Sequence, residues 1–101
     1  MFGKSRFAKV IDAQLDVFER DHREVLDEVQ ERLDAYNRAD RSEAEELYGD
    51  YLDAVETGTE ILADMRDHYA STLEDPDEYV RSFNRAVAKR LPEYALEIEN
   101  R

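Results

Sequence analysis

Apolar residues step through the first third of the chain at intervals of three and four: Phe7, Ile11, Leu15 and Phe18, then Val25, Leu26, Val29, Leu33 and Tyr36. An α-helix turns about 100° per residue, so this spacing lays them along one stripe and predicts a continuous helix over about residues 5–36. The polar segment NRADRS, residues 37–42, ends the pattern. Ser42 with Glu45 three residues on reads as a capping box, which starts a second helix over about 43–73. Its stripe is Ala44, Tyr48, Tyr51, Val55, Leu62, Tyr69 and Leu73, widened by Leu47, Ala54, Ile61 and Met65. In EDPDEY, residues 74–79, Asp75 suits an N-cap and Pro76 a first helical position. A third helix over about 76–99 then turns Tyr79, Val80, Phe83, Val87, Leu91, Tyr94 and Ile98 inward.

No strand-like alternation of useful length interrupts this order, so the fold class is all-α. Two helices near 30 residues each span about 45 Å, and short connections make sequential helices antiparallel neighbours. The expected architecture is a single domain over 1–101, an elongated up-down-up three-helix bundle. A long hairpin that completes a larger bundle with a second copy fits the same pattern. Residues 1–4 are expected to be flexible.

Charge changes this picture more than size does. Twenty-six acids against fourteen bases leave a formal net charge of −12. Such a surface repels phosphate backbones, so nucleic acid is excluded as an expected partner. The acidity suits solubility, a basic partner, or high salt that screens the repulsion. Lysine occurs only three times. The opening MFGKSRFAKVI runs against the trend, with Lys4, Arg6 and Lys9 and no acid. It reads either as a frayed lead into the helix or as a docking segment with Phe2 and Phe7 as anchors. There is no cysteine and no apolar run long enough for a membrane span or signal peptide. A cytoplasmic location follows as the expectation.

Candidate chemistry is sparse. Glu19 and His22 stand in the E-x-x-H spacing that carboxylate-bridged metal sites use on a helix. His22 projects onto the apolar stripe and Glu19 onto its flank. Antiparallel packing would bring Glu56 toward their level. A buried neutral histidine bonded to Thr59 is the structural alternative and is preferred, because buried polar groups are usually satisfied locally. The expectation is therefore no cofactor, with iron or another divalent metal in a ferritin-like dimer as the alternative.

Three irregularities share one height in the expected bundle: His22 in the first stripe, Gly58 inside the second helix, and Pro92 in the third. With Thr59 they form a candidate hinge or polar layer. No nucleophile elbow, phosphate loop or H-E-x-x-H zinc motif is present, and the acids mostly neighbour arginines on solvated helix faces. The reading is a non-enzymatic interaction or assembly module acting through helix packing, with a protein partner or a homodimer. Val10, Val17 and Leu96 lie off the main stripes and are the expected contact residues.

Overall fold

A computed structural model describes residues 6–101, which form five α-helices and one 3₁₀ turn and contain no strand. The helices are α1 (Ala8–Asp21), α2 (Arg23–Asn37), α3 (Ala44–Ala70), α4 (Asp77–Arg90) and α5 (Ala95–Glu99), with the 3₁₀ turn at Pro92–Tyr94. The molecule measures 50 × 26 × 22 Å. The expectations for Phe2, Lys4 and the flexibility of 1–4 lie outside the described residues.

The first expected helix is two helices. At His22 the backbone takes φ −124° and ψ 39°, which closes α1, and α2 restarts at the next residue. The stripe hides this break because apolar residues resume in the same phase on either side of it. The third expected helix is also divided. Leu91 stands at φ −133° and ψ 67°, and Pro92 opens the 3₁₀ turn. Proline lacks an amide hydrogen and disfavours helical geometry in the residue before it, so a break at 91 is what its chemistry demands.

The start of α3 also departs from expectation. Ser42 does not cap it: the Ser42 hydroxyl donates to Asp40 Oδ1 at 2.7 Å, and the amides of Ser42 and Glu43 donate to the same oxygen at 3.0 and 3.2 Å. Asp40 thus organises the turn by collecting three donors, and its pKa is held below the ordinary carboxylate value, first by the Ser42 hydroxyl. Asp75 does serve the start of α4, accepting from the Asp77 amide at 3.3 Å.

Packing divides the molecule in two. At one end α1, the C-terminal part of α3, α4 and α5 surround a core of Ile11, Leu15, Phe18, Leu62, Tyr79, Phe83, Val87, Tyr94 and Ile98. α1 runs parallel to α4: Phe7 meets the Tyr79 ring edge-on at 5.4 Å, and Arg90 reaches Glu19 at 2.9 Å and also Asp16. At the other end α2 pairs antiparallel with the N-terminal part of α3. Val29 is the one buried residue of α2, and residues 44–53 of α3 contain none.

Pro92 explains the division. After the turn, α5 folds back along α4 instead of continuing along α3. Arg66 fixes this return, since its Nη1 donates both to Asn84 Oδ1 on α4 at 2.9 Å and to the Ile98 carbonyl on α5 at 3.1 Å. A third layer therefore covers only one half of α3.

Candidate interaction face

Gly58, His22 and the Pro92 turn meet around two rings. Tyr94 lies against Gly58 so closely that a β-carbon there would stand 2.5 Å from Tyr94 Cε1 and 2.6 Å from its hydroxyl. Glycine is required here to admit the ring. Phe18 contacts Tyr94 at 6.1 Å between centroids and His22 at 5.6 Å, which links the layer through aromatic contacts. Thr59, fully buried, donates to the Val55 carbonyl at 2.8 Å. The expected Thr59–His22 bond is thus replaced by a bond inside α3. His22 is only partly buried, because a residue at a helix break faces outward more than one inside a stripe.

The Tyr94 hydroxyl is buried with no hydrogen-bond partner. Its pKa is raised, first by burial and then by Glu93. Tyr79 is equally buried, but its hydroxyl donates to Gln14 Oε1 at 2.9 Å; burial pushes its pKa up to about 12, the bond to Gln14 acting in the opposite sense. Arg66, only 3% exposed, is a second polar residue of this interior; besides its bonds to α4 and α5 it donates to Asp67 at 2.8 Å.

Two of the metal candidates are held by other partners. Both Glu19 oxygens accept from Arg90, at 2.9 and 3.2 Å, so Glu19 ties α1 to α4. The same bonds, with those to Asp16, raise the Arg90 pKa. Glu56 is exposed and faces Arg101 at 3.5 Å. Among the described residues, no group of three or more histidine, aspartate or glutamate side chains is placed to hold a metal ion.

The expected contact residues separate as well. Leu96 is 73% exposed and Val17 stands at 36%, whereas Val10 packs against the core. Phe7 is buried against Tyr79, so it is not a free anchor for the opening segment.

Two neighbouring apolar residues are exposed on the α2–α3 hairpin. Tyr48 is 45% exposed and Leu52 is 42% exposed, while Leu33, Tyr36 and Tyr51 are partly buried. The Tyr48 ring lies 5.2 Å from Tyr36, tilted by 52°, and 6.0 Å from Tyr51, making an aromatic cluster with open edges. The sequence pattern places Tyr48 inside the bundle; the early return of α5 leaves it uncovered. Projection at 100° per residue puts Leu33 on α2 with Tyr48 and Leu52 on α3 on one side of the hairpin. That side continues the surface which α4, the 3₁₀ turn and α5 cover farther along α3.

The opposite side of the hairpin is a shallow groove of about 490 Å³, lined by Glu24, Glu28, Asp50 and Asp53 with Val25 and Ala54. Arg32 pairs with Glu28 at 2.7 Å and lies 4.0 Å from Asp50.

Neither Leu52 nor Arg66 stood out in the sequence. Arg66 did leave a trace: it lies four residues after Leu62 and three before Tyr69, in the middle of an apolar stripe. Leu52 is marked only by Pro92, which stops the covering helix short. Among the described residues, no helix is long and apolar enough to cross a membrane. No protein-family model, no curated protein and no solved structure matches the chain.

Proposed function

We propose that the chain is a small acidic interaction module that works by helix packing rather than by catalysis. Its contact surface is the uncovered side of the α2–α3 hairpin. One observation carries this reading: Tyr48 and Leu52 stand nearly half exposed beside Tyr36 and Tyr51, on the side of α3 that the rest of the chain covers elsewhere. Tyrosine suits such a surface, because its ring buries area while its hydroxyl accepts water. A helix laid along this side, from a protein partner or from a second copy, would extend the layer that α5 leaves short.

The test pairs sedimentation equilibrium with affinity capture from native extract, comparing the wild-type protein with Leu33→Ser/Leu52→Ser. Self-association, or a stoichiometric partner, that the wild type shows and the folded variant loses supports the reading. A wild type that is monomeric and captures nothing beyond what the variant captures would overturn it.

A further inference from the structure

The charge around this side identifies the chemistry of what covers it. Residues 23–57, which span the hairpin, hold twelve acids and four arginines, a net of −8, against −4 for all the rest of the chain. Projection places Glu45 and Glu56 of α3 along one edge of the apolar strip; on α2, Gln30 and Asn37 border Leu33, and Asp27 and Asp34 lie farther round on the outer face. The four acids are exposed. Arg23 lies on the α2 edge at its His22 end, and Arg32 is already paired with Glu28.

We propose that the hairpin docks a basic amphipathic helix of another protein. Its apolar stripe lies over Leu33, Tyr48 and Leu52, and its flanking lysines or arginines face Glu45 and Glu56 on the acidic α3 edge. The inference rests on the interaction-module reading and narrows it.

Three observations favour this occupant. A helix laid on an exposed apolar strip takes its affinity from the apolar anchors and its selection from the flanks. One edge already receives a cation from the chain itself, since Arg101 Nη2 lies 3.5 Å from Glu56 Oε2. A second copy is the poorer fit, because two hairpins face to face would oppose −8 with −8. Screening at physiological salt acts over about 8 Å, so charges brought together at such an interface still repel. Like-charge juxtaposition selects against wrong partners as opposite charge selects for right ones.

The probe is a synthetic amphipathic helical peptide with a leucine stripe flanked by lysine and arginine. Its twin carries the same stripe flanked by glutamate. Fluorescence anisotropy measures both against the full chain, and sedimentation equilibrium runs alongside. The basic peptide should bind at least about tenfold more tightly than its twin, a difference of about 1.4 kcal/mol. Its affinity should fall as sodium chloride is raised. Leu33→Ser/Leu52→Ser should abolish binding, and Glu45→Gln/Glu56→Gln, which leaves the apolar strip intact, should weaken the basic peptide severalfold while leaving the acidic twin unchanged. Equal binding of the two peptides would overturn the proposed occupant and leave the interaction reading standing. So would a wild-type dimer that Leu33→Ser/Leu52→Ser makes monomeric, since a second copy would then be the cover. A monomer that binds neither peptide would overturn the inference, and with no partner captured from extract it would remove the broader reading too.

Discussion

The two halves of α3 carry the same kind of apolar stripe and meet different fates. From Ala54 onward the helix contributes Val55, Gly58, Thr59, Leu62, Ala63 and Arg66 to a buried interior; before it, Leu47, Tyr48, Tyr51 and Leu52 remain partly or largely open. Amphipathicity does not make the difference. What differs is the presence of a third layer, which the return of α5 at Pro92 confines to one end. A stripe records that a helix has something to bury, and it is silent on whether its own chain supplies the cover.

The largest consequence is energetic. Phe18 is fully buried between α1 and the Pro92 turn, so Phe18→Ala should cost about 3–5 kcal/mol. Leu52→Ala removes a side chain that is already open and should change stability by less than about 0.5 kcal/mol. Urea unfolding of the two variants measures the contrast directly. Similar losses would mean that the hairpin is covered in solution.

Alkali tests the buried tyrosines next; burial also raises Tyr51 on the hairpin, but the large shifts lie at the covered end. Tyr79 and Tyr94 both have folded pKa values raised above the unfolded value near 10, Tyr79 to about 12. A raised folded pKa means that the native state keeps protons the unfolded chain has released. Stability is therefore intact below about pH 10 and falls as pH rises from there toward 12. Both tyrosines belong to the covered end. Circular dichroism followed with tyrosinate absorbance should show unfolding coupled to their late ionisation, and retention of full stability at pH 12 would contradict this.

Two substitutions sharpen the picture at the boundary. Gly58→Ala puts a β-carbon into the Tyr94 ring, which is buried and has no free end to move aside. It should destabilise by about 1–3 kcal/mol even though alanine favours helix. Tyr94→Phe removes a buried hydroxyl that has no partner and should stabilise by about 1 kcal/mol. Thermal melts of both decide whether the layer is as tightly closed as the distances indicate.

Much of this architecture could be read from sequence. The helical periodicity located nearly every apolar residue of the core, and Pro92 marked the irregular point at which the third expected helix is divided. The split at His22 was not legible, because α1 and α2 keep the stripe in phase across it. Ser42 does not cap α3 because Asp40, two residues upstream, engages its hydroxyl together with the amides of Ser42 and Glu43. The pairing of Glu19 with Arg90 joins residues 71 apart in sequence and could not be read from spacing within one helix. The exposed strip was hidden for the opposite reason. Tyr48 and Leu52 have the residue types and phase of core positions, and only the backward fold of α5 leaves them open.

The most direct test of this account is amide hydrogen exchange of the free protein, resolved by residue. Amides that open locally exchange faster than those released only by global unfolding. With the hairpin uncovered, amides of residues 26–37 and 48–53 should exchange at least about a hundredfold faster than those of residues 58–66 and 81–90, a gap of about 2.8 kcal/mol. Uniform protection along the whole of α3 would contradict the account, because it would show that the strip is already buried in the protein as it stands.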